Sequence, residues 1–471
     1  MLVDETLGDT WLFNWGRVVL VGLLATGLLL TFYLTVLAPE VLPFFPVLLL
    51  SGLAAWVLFR YPLWNLFFVL ALFAPTAELD DGRQLDEILY ALYLVTYVVV
   101  WHVRHHFLER RPWSDCTADR LLLGFFIWIG ATLPLTYIFG GSFADQFAEL
   151  YAWTSFLLYW PIKQAVASKP HGLRTVLMGV LAIGLFVLVR NILSYAETLN
   201  NATQAWQVIK GRAVMNESLL MVPAFITFVA FIHAESWKHR LISGIGFGLF
   251  FTGLILTQSR GYWAAFLLAT IGLFVVIPWH YKKRIIVVGI GTIALTGIIG
   301  LAILGDVIML IAAGMWERLT SIGSAATGDI SLINRFLESG AVWERIKLNP
   351  VLGHGMGVPF RFFDITWEYS MNRAFIHNGY LSIWYKFGLP GTLLFFGFLS
   401  NTIWRAFRLS RTDLPNHMRL NRTAVLAALG SLLAFAVSTN TSNAFILSDT
   451  LLMLTALSAM VHGTETSLKT L

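Results

Sequence analysis

Residues 258–284 read QSRGYWAAFLLATIGLFVVIPWHYKKR. From Gly261 to Trp279 the run carries no charge, and about 20 mostly apolar residues suffice for an α-helix to cross the hydrocarbon core of a bilayer. One end is a tight turn, Gln258-Ser259-Arg260-Gly261, and the other is His-Tyr-Lys-Lys-Arg. Lys and Arg in short loops stay on the cytoplasmic side, so this segment reads as a span between an outer turn and an inner basic loop.

Working outward, the same pattern recurs. Apolar runs near 18–37, 41–59, 62–75, 87–103, 121–139, 148–166 and 173–194 precede it, with 217–235 and 240–257 next to it. Runs near 284–304, 389–407, 422–439 and 443–461 follow. The 62–75 run is short and sits between prolines, so the expectation is an all-α polytopic membrane protein of about 12 spans, within a range of 12–14. The composition agrees: 57% of 471 residues are hydrophobic and 13% charged, about half the charged share of a soluble domain. Mean hydropathy is +0.71. Eighteen Trp and 14 Tyr suit the two membrane interfaces. The lone Cys116 excludes an intrachain disulfide framework and a cysteine metal cluster.

Alternate short loops hold the basic residues. Loops 102–120, 163–174, 236–240, 280–284 and 405–422 carry 17 of the 32 Lys and Arg, and the loops between them carry acids such as Asp80, Asp81, Asp145 and Glu149. The basic loops are assigned to the cytoplasm, together with both termini. The net charge of +5 then reflects these loops rather than nucleic-acid binding. No internal repeat or separate soluble domain is read, so residues 1–471 are expected to form a single transmembrane domain with a large external loop at 305–388. No cleavable leader is read at the start of the chain.

Within the loop, residues 307–322 read as an interfacial helix. A second helix is expected from Ser331 to about Lys347, capped by Asp329, with Leu332, Phe336, Leu337 and Val342 at helical spacing. Asn349-Pro350 ends it. Gly353-His354-Gly355-Met356-Gly357 follows as a glycine-rich turn where backbone can approach a ligand closely. The outer side also holds Arg318, Arg335, Arg345, Lys347, Arg361 and Arg373, with Arg260, Arg190 and Arg212 as further candidates. Arginine's planar fork binds phosphate oxygens bidentately and stays charged. Several arginines around an external, membrane-level pocket suggest a lipid-linked phosphate or pyrophosphate. Arg260 stands out because its turn is too short to let it wander and an ionisable residue at membrane depth is a functional candidate.

The chain then reads IHNGYLSIWYKFGLPG at 376–391. His377-Asn378, nine residues, Gly388, two residues and Gly391 resembles the signature of the bacterial O-antigen ligases, within a superfamily of O-antigen polymerases and protein O-oligosaccharyltransferases. Ser259-Arg260-Gly261 resembles the family's arginine turn. Ile333-Asn334-Arg335 to Trp343, Asn349-Pro350 and the 353–357 turn resemble its loop pattern. The likeness in motif order runs over roughly residues 240–410.

The resemblance implies a type-C glycosyltransferase fold in the bacterial inner membrane, acting on the periplasmic side. It implies transfer of a glycan from undecaprenyl pyrophosphate to a sugar hydroxyl of lipid A–core in lipopolysaccharide assembly, inverting and metal-independent, without a cofactor. Histidine suits general-base work near neutral pH, so His377 is the expected catalytic residue. Arg260, Arg335 and Arg190 are expected to bind the pyrophosphate, supported by Asn378, Ser259, His354, Gly355 and Arg373. Asn378 has a second reading as a helix N-cap, and His354 as a turn residue. An O-antigen polymerase or protein O-oligosaccharyltransferase remains open. So does a transporter, although the candidate charges gather at the outer face rather than the midplane.

Overall fold

The computed structural model describes residues 61–76, 85–169, 171–201, 216–279 and 330–469 apart from 413, with scattered positions between 281 and 298. Two compact units are distinguished, Met1–Asn65 and Leu66–Leu471. The first lies almost wholly outside the described residues, as do the spans expected at 18–37 and 41–59 and the interfacial helix expected at 307–322. Asp329, Arg212 and Arg318 lie outside them too.

About 81% of the described residues are helical. In chain order the helices are α1 Pro62–Ala71, α2 Phe73–Thr76, α3 Leu85–His102, α4 Thr117–Thr132, α5 Leu135–Ile138, α6 Phe143–Trp153 and α7 Tyr159–Ser168. Then come α8 Gly172–Asn201, α9 Glu217–His233, α10 Trp237–Leu256 and α11 Arg260–Val276. After the 277–329 interval follow α12 Ile330–Leu348, α13 Gly379–Arg411, α14 Arg419–Ser442 and α15 Ser448–Lys469. Between α12 and α13 lies an antiparallel hairpin, β1 Phe360–Asp364 and β2 Tyr369–Arg373, in register Phe360↔Arg373 to Asp364↔Tyr369.

Four described segments are long and apolar enough to cross a membrane: Thr117–Ile138, Gly172–Glu197, Trp237–Leu256 and Arg419–Ser442. The all-α expectation holds, whereas twelve uninterrupted spans are not found among the described residues. Several expected spans are shortened or broken for local reasons. The one at 148–166 is divided by a 3-10 turn at 154–158, just ahead of Pro161, which has no N–H to continue the α ladder and falls in the first turn of α7. α11 stops before Pro278, where Ile277 turns extended.

The loops grouped by charge come together at one end of the second unit. Lys163 Nζ lies 2.6 Å from Asp119 Oδ2, Arg405 2.8 Å from Glu465, and Arg419 2.5 Å from Glu235. At the other end, segments 133–146, 353–357, 376–388 and 439–445 meet. There Thr136 Oγ1 donates to Met356 O over 2.8 Å, and Asn443 N donates to His377 O over 2.7 Å. α13 is central to the bundle, packed on α4 and α14.

Candidate active site

α12 turns one narrow face inward: Glu338, Val342 and Ile346 are its buried residues, spaced i, i+4 and i+8. Phe336 and Leu337, expected on that stripe, are 65% and 44% exposed; the helix is rotated so that an acid takes the core position. Val342 and Ile346 pack with Val358, Phe360, Phe362, Ile376 and Tyr385, so one face of the hairpin, α12 and the start of α13 share a small core. The hairpin is fixed to α12 by Asn334, whose Oδ1 accepts Ile365 N–H over 3.2 Å.

Glu338 is the functional residue that the sequence reading missed. Its side chain is 3% exposed, and Oε2 lies 2.7 Å from Nδ1 of His377 while Oε1 accepts the His377 backbone N–H over 2.5 Å. A carboxylate only accepts hydrogen bonds, so Nδ1 carries a proton, and the neutral tautomer selected here is the one with its lone pair on Nε2. The imidazole is 31% exposed, and among the described residues no side chain or carbonyl engages Nε2. The segment is gripped from the other side by Asn443, in the left-handed region at φ 33°, whose side-chain amide donates to Ile376 O and whose backbone N–H donates to His377 O. The helix that follows begins at Gly379, where a Cβ would collide with Thr439 Oγ1. Asn378 caps it, Oδ1 accepting Leu381 N–H over 3.1 Å. The capping role is thus filled.

The arginines divide. Arg335 lies on α12 one turn before Glu338, half-buried, so the two occupy neighbouring faces of one helix. Arg260 opens α11. Ser259 holds the N-cap position without a side-chain cap bond; its carbonyl accepts from Tyr262 and Trp263, each over 3.1 Å. Gly261 packs so closely on α14 that a Cβ would lie 2.6 Å from Thr441 Oγ1. The arginine turn and the His377 segment therefore rest on the same helix end, Thr441 to Asn443. Arg190 instead donates to Asn216 Oδ1 over 2.7 Å, beside Ser218, which donates to Asp449 Oδ2 over 2.6 Å. Arg373 ends β2, half-buried, opposite Phe360.

The glycine-rich turn approaches protein rather than leaving space for a ligand. Gly355 donates its N–H to Lys386 O over 3.0 Å, and a Cβ there would sit 2.6 Å from Thr136 N. His354 is buried, stacked on Tyr385 with ring centroids 4.6 Å apart. Burial holds its imidazole below the ordinary histidine pKa, outweighing the opposing hydrogen bond with the Tyr385 carbonyl, and Arg345's charge adds a smaller push in the same direction as burial. The folded state therefore binds fewer protons than the unfolded one. Stability contributed here should fall as pH drops below the unfolded value of about 6.5. A His354→Phe variant is expected to flatten that part of the thermal-melt profile between pH 7 and 5. Among the described residues no three His, Cys, Asp or Glu side chains converge to hold a metal ion.

Residues 245–396 match the family model described as O-antigen ligase. Over that stretch the chain is similar to the O-antigen ligase family. The match covers about a third of the chain and contains Arg260, Arg335, Glu338, His377 and Lys386, whereas Arg190, Glu149 and Asn443 fall outside it. No curated protein sequence matches the chain.

Proposed function

We propose that the protein moves an O-antigen glycan from undecaprenyl pyrophosphate to a sugar hydroxyl of lipid A–core, at the periplasmic face of the bacterial inner membrane. The observation that carries this reading is the His377–Glu338 pair within a ligase-family segment. His377 Nε2 accepts the proton of the acceptor hydroxyl as its oxygen attacks the anomeric carbon. Glu338 stabilises the imidazolium that forms, as a carboxylate does behind any histidine base. The anomeric C–O bond breaks on the opposite face, inverting the centre, and the electron pair leaves with the pyrophosphate. Arg260 and Arg335 stabilise that charge without a metal ion, an electrostatic effect usually larger than the base's own. The ligase is favoured over the polymerase, which uses the same donor.

The test is transfer in vitro with purified protein, lipid-linked glycan and lipid A–core in EDTA. Wild type should modify lipid A–core. Arg260→Ala should reduce kcat by about 10²–10³-fold, in line with loss of one transition-state donor, and Arg260→Lys should recover part of it. Chains that lengthen on the polyprenyl carrier would make the protein a polymerase. Activity that EDTA abolishes and magnesium restores would overturn metal independence.

A further inference from the structure

Lys386 is fully buried, eight residues beyond Asn378 in the first half of α13. Its ammonium forms an ion pair with Glu149 of α6 and donates to the carbonyl of Ala374 over 3.2 Å. Ala374 lies three residues before His377, at the bend that follows β2. A lysine without solvent is costly unless its charge is paired, so the ammonium must sit between these two acceptors. The surrounding backbone is tightly determined. His354 N–H donates to Tyr385 O over 2.7 Å and Gly355 N–H to Lys386 O over 3.0 Å. On the other side, Trp128 Nε1 donates to Phe387 O over 2.6 Å, and α6 is joined to the glycine turn through Gly357, where a Cβ would lie 2.6 Å from Gln146 N. Glu338 and Asn443 grip His377 and Ile376 directly. Lys386 grips the stretch just before them and ties it to α6.

We propose that Lys386 is a positioning residue. Through Ala374 it anchors the segment carrying His377 to α6, with Glu149 as the counter-ion that allows a buried ammonium there. This rests on His377 acting on substrate. The geometry separates two duties of the ammonium, neutralising Glu149 and donating to Ala374 O. A charge-reversed pair keeps the first and loses the second, because a carboxylate at 386 has no proton to offer a carbonyl.

Three proteins decide the matter: wild type, Lys386→Met/Glu149→Gln, which removes both charges, and Lys386→Glu/Glu149→Lys, which reverses them. Single substitutions strand a buried charge and risk misfolding, so the double variants are used. Thermal melts establish which of them is folded. In each folded variant, kcat should fall about 10–10²-fold with donor KM changed by less than about threefold, because misplacement of a catalytic group is felt in the transition state. Independently of activity, hydrogen–deuterium exchange over Ala374–Asn378 should quicken by about tenfold or more while α14 stays protected. A folded double variant with wild-type kcat and wild-type exchange overturns the proposal. If exchange quickens but wild type transfers no glycan, the anchoring stands and the catalytic role of His377 fails. Should neither double variant fold, Lys386→Gln/Glu149→Gln, which strands no charge and can still donate to Ala374 O, should keep wild-type exchange over Ala374–Asn378; exchange quickened about tenfold in it would overturn the proposal.

Discussion

His377→Ala should lower the transfer rate constant by about 10²–10⁴-fold, the ordinary contribution of a positioned general base, with substrate KM values little changed. The side chain is one-third exposed and bears no core load, so the melting temperature should move only slightly. The partner variant separates chemistry from placement. Glu338→Gln keeps the shape of the side chain but not its acceptor count. The carboxylate accepts two N–H groups, from the His377 backbone and from Nδ1; an amide accepts with its oxygen and turns an NH₂ towards the other donor. The imidazole then loses both its fixed tautomer and its counter-charge. A loss of about 10²-fold is expected from misplacement of this kind, accompanied by lower stability because the unsatisfied donors are buried. Initial rates and thermal melts on both variants check this. Equal activity of Glu338→Gln and wild type would remove the carboxylate from the mechanism.

Which residues were legible in the sequence follows from how far each depends on its neighbours. The histidine, the glycines at 388 and 391 and the arginine turn are local motifs, visible as strings. The apolar runs and alternating basic loops are likewise local, and the basic loops do gather at one end of the second unit. Glu338 was not legible because an acid in an amphipathic helix is normally solvated. Only the rotation of α12, set by the hairpin packing on Val342 and Ile346, turns it inward. Its spacing with those two residues was the available signal, and the neighbouring Phe336 and Leu337 pointed to the wrong face. The hairpin was obscured for a similar reason. Phe360, Phe362 and Asp364 alternate inward with Arg361 and Phe363 outward, but five-residue strands bounded by Thr-Trp-Glu offer no Asn-Gly or Asp-Gly turn signature. Lys386 and Glu149 lie 237 residues apart, a pairing no local pattern reveals. The candidate spans also show what hydropathy overlooks: the run at 148–166, which carries Pro161, is long enough on composition alone yet is divided by a 3-10 turn.

Gly388→Ala carries the largest expected loss of stability. Gly388 has φ 61° and ψ −170°, inside what is otherwise one continuous helix from Gly379 to Arg411. That region of backbone space is open essentially to glycine alone and costs an L-residue about 1–3 kcal/mol. The space is closed as well: a Cβ would collide with the Val351 carbonyl oxygen and lie 2.5 Å from Leu352 C. These are backbone atoms of the Asn349–Gly353 turn, which cannot swing aside as a side chain would. That turn is held in place by Leu389 N–H, which donates to Pro350 O over 3.0 Å. A conformational cost and a backbone displacement together should reach about 3–5 kcal/mol, the range reserved for strained or overpacked core positions. The expected result is a markedly lower melting temperature or failure to recover folded protein in detergent. Because Gly388 lies at the break between the half of α13 that carries Lys386 and the half expected to span the membrane, whatever Gly388→Ala protein does fold should also have lost glycan transfer. Gly397→Ala, further along α13 where the nearest atom is a leucine methyl at 3.6 Å, should melt like wild type. If Gly388→Ala melts with it, the kink is not fixed by this glycine.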